Sequence, residues 1–338
     1  MSLIIICSVA FDTLETPHGR RDKILGGSGT YCSLAASFFT EPKIVAVVGE
    51  DFPEDAIELF KSRGIDVQGL EIQPGKTFHW EARYGDDPNQ RTTIKTELNV
   101  FGDFSPKLPQ DYREADIVFL ANIDPDIHED ILSQVKHPKL VAMDTINFWI
   151  KTKPDPLLRV LEKVHVYFGN DEEIKTLAKE PNLIRAGKKL LERGPSFIVI
   201  KKGEHGALVL GKDSVFGVLA YPCEKVIDPT GAGDSFAGGF LGYLDKIKAF
   251  DKEEEIRKAS VYGSVMASFT IEDFGISRLK NLQLEDIDKR FSQFKKLVSF
   301  RAFLVSYLKA AISKSCCPIV NWCIWAVPPS IVAVIASW

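Results

Sequence analysis

The 338-residue chain is predicted to be an α/β protein, with a central, mostly parallel sheet, helices on both faces and a small second β element. Three observations predict it. Between residues 116 and 200, short apolar runs alternate with segments of helical spacing, the pattern of a doubly wound sheet. Residues 3–10 are a continuous apolar run, as a strand covered on both faces requires. Residues 65–100 instead break into short runs of period two separated by turn clusters.

The elements follow in order. Residues 3–10 form the first strand, and Asp12 lies just past its C-terminal end, where open α/β sheets place ligands. Gly26-Gly27-Ser28-Gly29-Thr30 precedes a helix with a small-residue face, Cys32 to Ala36, and the glycines permit close approach of backbone to a small ligand. Residues 43–48 are a strand, Gly49-Glu50-Asp51 a turn and 52–63 a helix. The runs 77–84 and 91–101, around Gly85-Asp86-Asp87-Pro88-Asn89, predict antiparallel hairpins. Further strands are expected at 117–120, 140–143, 164–168 and 197–200. Asp124, Asp126, His128, Glu129 and Asp130 precede or lie on an amphipathic helix, so they read as a solvated face or first-turn dipole partners rather than metal ligands. Asn170-Asp171-Glu172-Glu173 opens a helix directly after a strand, with capping-box spacing. Residues 198–207 read as strand, tight turn and strand, turning at Gly203 and Gly206. Residues 252–270 are a helix whose Ala259, Gly263 and Ala267 allow close packing.

The chain is organised around one stretch. A strand-like run at 223–227 leads into Asp228-Pro229-Thr230-Gly231-Ala232-Gly233-Asp234, which opens a small-residue helix through 244. A Gly-Ala-Gly turn at a helix N-terminus presents unpaired N–H groups at the positive end of the macrodipole, an anion site. Asp234 beside it has a chemical use if it takes a proton from a hydroxyl attacking phosphorus. Helix capping by Asp228 or Asp234 is the bland alternative.

Asp228 to Asp234 resembles the C-terminal signature of the ribokinase-like (PfkB) carbohydrate and nucleoside kinases. Gly26-Gly27, Asn170-Asp171-Glu172-Glu173 and Lys202-Gly203-Glu204-His205-Gly206-Ala207 resemble other family blocks in the family's order, so the resemblance covers residues 3–300. It implies a kinase domain over 1–300, with a β-sheet lid from segments 12–25 and 65–101. It implies ATP and Mg2+ as cofactors and K+ in many members. Carried over position by position, Asp234 is the general base and Gly231, Ala232 and Gly233 form the anion hole. Asp12, Gly26, Gly27 and Asn99 join the substrate site, as does Tyr31, which stands where the family usually has a sugar-contacting Asn. Lys202, Gly203, Gly206 and Gly263 face the nucleotide, although Lys202 is equally well a surface lysine. Asn170 and Glu173 organise magnesium through waters, and Asp228 and Thr230 help bind a monovalent cation. His79, Trp80, Arg83 and Tyr84 of the lid are weaker candidates, since lid aromatics more often pack their own sheet. Asp144-Thr145-Ile146-Asn147 loosely resembles the family's Asp-x-Asn, one residue longer. The implied function is ATP-dependent phosphorylation of a sugar hydroxyl. A nucleoside (adenosine-type) kinase is the alternative that Tyr31 and the aromatic lid encourage, and a non-catalytic sugar-binding protein is a third reading. A homodimer through the lid is also consistent with the family.

Composition narrows the classes. A net charge of −4 gives no broad basic field, so nucleic acid is an unexpected partner. The six cysteines form no CxxC pair, which points to a reduced, cytoplasmic compartment. Residues 3–9 are too short for a signal peptide, and neither a P-loop nor a Rossmann fingerprint occurs. Residues 301–338 differ: they hold no acidic residue, three of the six cysteines and three of the five tryptophans. From Ser315 onward there is no charge, and Pro318, Pro328 and Pro329 interrupt this uncharged part, which disfavours a spanning helix. It reads as membrane-associated, as packed or oligomer-burying, or as foreign to the kinase fold. Truncation after Phe300, assayed by solubility and activity, should leave a soluble, active protein if the tail is foreign; aggregation would mark it as packed.

Overall fold

The computed structural model describes residues 2–250 and 252–298, and the apolar stretch 301–338 lies outside them. The chain divides into the units Met1–Phe294 and Lys295–Trp338, and the fold below is that of the first. β1 (Leu3–Ile6) leads out of a large sheet into β2 (Ala10–Thr16) and β3 (Gly19–Gly26) of a small one. α1 (Ser28–Ala36), β4 (Lys43–Gly49), α2 (Glu54–Ser62) and β5 (Asp66–Gln73) return to the large sheet. β6 (Phe78–Tyr84) and β7 (Arg91–Glu97) complete the small sheet. There follow β8 (Ile117–Leu120), α3 (Pro125–Gln134), β9 (Leu140–Met143), α4 (Asn147–Thr152) and α5 (Pro154–Leu161). Then come β10 (Val166–Asn170), α6 (Asp171–Ala178), α7 (Leu183–Leu191), β11 (Phe197–Lys201), β12 (Ala207–Gly211) and β13 (Val215–Val218). The helices α8 (Ala232–Ile247), α9 (Glu253–Thr270), α10 (Ser277–Asn281) and α11 (Leu284–Val298) close the described chain.

The large sheet has the order β13-β12-β11-β10-β9-β8-β1-β4-β5 and is parallel except for β12 and β13. Alternation along its strands separates two cores. Leu3 and Ile5 of β1 face the layer that holds α1, α8 and α9, while Ile4 and Ile6 face α3, α5, α6 and α7. Burial on both faces is why these strands read as unbroken apolar runs.

The small sheet, order β3-β2-β6-β7, differs from expectation in two ways. Residues 66–73 belong to the large sheet, where β5 pairs in parallel with β4, so the second lid segment begins at Phe78. β5 alternates because it is an edge strand, with Val67 and Leu70 packed on the core. Second, β2 and β6 pair in parallel, although β2–β3 and β6–β7 are antiparallel hairpins. Both follow strands of one parallel sheet, β1 and β5, and so leave its C-terminal edge in the same direction. The run 223–227 is no strand: Ile227 N–H bonds to Ile271 O at the end of α9.

The acidic cluster at 124–130 is bound by side chains. Asp124 caps α3 and pairs with Lys153, as does Asp126, while Glu129 pairs with Arg159. Among the described residues, no helix is long and apolar enough to cross a membrane.

α8 runs between two neighbours at backbone distance. A Cβ on Gly238 would lie 2.2 Å from the Cys32 carbonyl oxygen of α1, and one on Gly239 would lie 2.7 Å from Met266 Cγ of α9. These contacts fix the height and direction of the α8 N-terminus. Gly238→Val should therefore cost about 3 kcal/mol, the upper end of overpacking penalties. Urea unfolding against Gly102→Ala, where a Cβ meets nothing nearer than 3.6 Å, checks this.

Candidate active site

The chain orders β1, β4 and β5 to one side and β8 to β11 to the other, so the strand order reverses between β1 and β8 while the strands stay parallel. Crevices outside the C-terminal strand ends at such a reversal bind ligands. Here the ends of β9, β10 and β11 meet the N-terminus of α8, and the lid strand β2 rises from the end of β1.

Gly231 is the α8 N-cap, with φ of 74°, and no side chain caps the helix. Two constraints demand glycine there: the left-handed conformation, and the Tyr31 ring, 2.2 Å from where a Cβ would stand. Gly231, Ala232 and Gly233 remain partly exposed, so an anion can reach their amides. Asp234 lies in the first turn of the helix. Loss of water raises its pKa to about 7, assisted by Asp144 and opposed by Lys201 and the lid's Arg91. It is thus poised to hold or release a proton near neutral pH.

Three more charges crowd the same place. Asp144, just past the end of β9, is buried and pairs with Lys201 at the end of β11. Asn170, Lys201's register partner on β10, forms a reciprocal capping box with Glu173 of α6. Its Oδ1 accepts the Glu173 N–H and Glu173 Oε2 accepts the Asn170 N–H, both at 2.8 Å. Burial raises Glu173 to about 7, again with Asp144 raising it and Lys201 lowering it. Lys201 was missed from the sequence, where the adjacent Lys202 drew attention as the first residue of the glycine-containing block. A lysine ending a parallel strand one residue earlier was the available signal.

Asp12 lies within β2, not merely beyond β1, and is buried. Burial raises it to about 8, Asp228 adds to the rise, and the Gly27 N–H hydrogen bond opposes it. Gly26 faces this carboxyl so closely that a Cβ would lie 2.0 Å from Oδ2. The Gly27 turn, φ 86°, is held by Ser8 and Ser28, each donating its backbone N–H to the other's hydroxyl. Tyr31 is buried beneath Gly231, and among the described residues its hydroxyl has no hydrogen-bond partner. Trp80, the register partner of Asp12 across β2–β6, shares its face of the lid. Tyr84 reaches the signature loop, where its hydroxyl accepts from Thr230 Oγ1 at 3.1 Å.

Other expected residues have assigned partners. Asp228 is buried, its Oδ1 accepting the Thr230 N–H and Oδ2 the Gly275 N–H, both at 2.9 Å. Asn99 donates its side-chain amide to Thr77 O at the base of the lid. His79 bridges Thr13 and Glu97, and Arg83 pairs with Glu15. Gly203 and Gly206 take positive φ in the β11–β12 turn, and Gly203 faces Asn89 of the lid turn. Lys202 precedes that turn. Gly263 lies where α9 packs on Phe236 of α8, a close helix contact rather than an open space.

Residues 8–281 match the family model described as pfkB family carbohydrate kinase. The chain is 30% identical to cytidine kinase of Thermococcus kodakarensis, over 72% of this chain and 88% of that one. It is 26% identical to a nucleoside kinase of Methanocaldococcus jannaschii, over 78% of this chain and 83% of that one. A ribokinase II candidate from E. coli, solved with ATP and Mg2+, shares the fold with a TM-score of 0.72 at 18% identity, over 86% of this chain and 99% of that one.

The Asp12 environment sets a pH dependence. Its folded pKa lies above its unfolded one, so the stability it contributes is complete below about pH 4 and lost as pH rises through about 8. Relative to Asp12→Asn, the wild type should lose stability over that range, by up to about tenfold in the unfolding constant per pH unit, and then level off. Urea unfolding of both proteins from pH 5 to 9 measures the difference, and a constant difference would contradict the assignment.

Proposed function

This chain belongs to the pfkB family of carbohydrate kinases, and we propose that it transfers the terminal phosphoryl group of ATP to a ribose hydroxyl of a nucleoside. The observation that carries the reading is Asp234, recessed beside an uncapped helix N-terminus with its pKa near neutrality. The substrate oxygen bonds to the terminal phosphorus and the bond to the bridging oxygen breaks. Asp234 takes the hydroxyl proton, and the Gly231, Ala232 and Gly233 amides face the charge on the transferred group. Asp12 holds the substrate from the lid side, with Gly26 and Gly27 closing behind it. Tyr84 on Thr230 keeps the lid against the loop, so that the alcohol rather than water is phosphorylated.

The residues at the end of β10 suit magnesium. Glu173 is a buried carboxylate with one oxygen fixed by a backbone N–H, and Asn170 stands beside it; magnesium keeps most of its waters and needs few such ligands. When bound with ATP the ion supplies neutralisation of phosphate charge. Lys202, Gly203 and Gly206 would wall the nucleotide, while Asp228 and Thr230 would border a monovalent cation.

Nucleoside over free sugar is favoured by the relatives with those substrates, by Trp80 beside Asp12, and by Tyr31 in place of the usual Asn. A free-sugar kinase is the second reading, supported by the family's description and the Asp12 carboxylate.

ATP consumption by the purified protein with magnesium, with and without potassium, across nucleosides, ribose and ketoses tests the proposal. Nucleoside turnover should fall by roughly 10³-fold in Asp234→Asn, within the range for loss of a general base. In the wild type, kcat/KM should drop tenfold per unit below about pH 7, because the base must be unprotonated. Undiminished turnover in Asp234→Asn would remove Asp234 from this role; ketose turnover alone would select the second reading.

A further inference from the structure

The ammonium of Lys201 has no place in the roles just given, yet it lies at the centre of the site. Its strand position sets it beside the Asn170–Glu173 box, because Asn170 and Lys201 are register partners at the ends of β10 and β11. Its side chain crosses the end of β10 to reach Asp144 beyond β9. A Cβ on Gly233 would lie 3.2 Å from Nζ, so the ammonium borders the amide turn of α8. Asp144, Glu173 and Asp234 all act on it, and the lid's Arg91 is a second cation that reaches Glu173 and Asp234. Burial works against the charge, but Asp144 and then Glu173 outweigh it and raise the pKa, so Lys201 stays protonated. An ammonium has three donors, and among the described residues its hydrogen bond goes to Asp144. Its side chain is 19% exposed, against 5% for Asp144, so the open side of the pair is the lysine's.

We infer that Lys201 contacts the terminal phosphates of the nucleotide donor at the mouth of α8, and that Asp144 is the positioning residue that aims it. The assignment rests on the phosphotransfer reading above. A fixed cation there meets negative charge as the phosphoryl group moves, without reorganising at the moment of reaction. A merely structural Lys201–Asp144 pair would affect folding but would not discriminate between nucleotides by phosphate number.

The test uses the full chain and separates those roles. Kd values for ATP, ADP and AMP, with magnesium, are measured by calorimetry for wild type, Lys201→Met, Lys201→Arg and Asp144→Asn, beside kcat with the best nucleoside. Lys201→Met should weaken ATP by roughly tenfold or more while leaving AMP unchanged, since AMP lacks the contacted groups. Its kcat should fall by about 10²–10³. Lys201→Arg should recover much of the ATP preference. Asp144→Asn should lower kcat while ATP affinity stays at or above that of the wild type, because the cation is kept and only its aim is lost. Unchanged AMP binding certifies that each variant is folded. Wild-type turnover together with an ATP-to-AMP ratio and kcat in Lys201→Met within twofold of wild type would overturn the assignment alone. Absence of wild-type turnover across the substrate panel would overturn the proposed function, and the assignment with it.

Discussion

The site depends on holding several carboxylates together where water is scarce. Asp12, Asp144, Glu173 and Asp228 are buried and Asp234 is recessed beside them, with Lys201 paired to Asp144 and Arg91 of the lid acting on Glu173 and Asp234. Charge of one sign is costly to gather in a low-dielectric place unless it is paired or hydrogen-bonded. The fold offsets the cost with backbone donors: Gly27 to Asp12, Thr230 and Gly275 to Asp228, and Asn170 to Glu173. Asp12, Glu173 and Asp234 are left with pKa values between about 7 and 8, able to exchange protons near neutrality. A cation bound among them would relieve that arrangement.

The scaffold serves this geometry. Gly238 and Gly239 let α1 and α9 close on α8 from both sides, so the amide turn cannot drift. The lid is fastened at both ends. At its base Asp51 accepts both the backbone N–H and the hydroxyl of Thr77 at 2.7 Å, just before β6 begins. At its far end Tyr84 meets Thr230, and Asn89 stands over Gly203.

The signature at 228–234 was legible because its chemistry is local: glycine at a left-handed helix entry and an aspartate in the first turn are written in consecutive residues. The capping box of Asn170 and Glu173 was legible for the same reason, as was the parallel core. What depends on partners across the sheet was not. The pairing direction of β2 and β6 follows from where the flanking strands exit, and no residue in either strand encodes it. The run at 223–227 has strand-like composition but pairs with no strand among the described residues, and Ile227 bonds instead to the end of α9. Lys201 was passed over for Lys202 because the two are adjacent in sequence, and only the strand's end, which falls at Lys201, separates them. Gly263 is expected from the resemblance to face the nucleotide, and a Cβ there meets Phe236 of the neighbouring helix.

The central claim is that the Asp234 carboxyl exchanges its proton near neutrality, and observing that carboxyl directly tests it best. Carbon NMR of protein labelled at the aspartate side-chain carboxyls, titrated from pH 4 to 9, should show a resonance with a midpoint near 7 that vanishes in Asp234→Asn. A spectrum in which Asp234 titrates below pH 5 would contradict the account, since the carboxylate would then be an ordinary surface acid with no stored affinity for a proton.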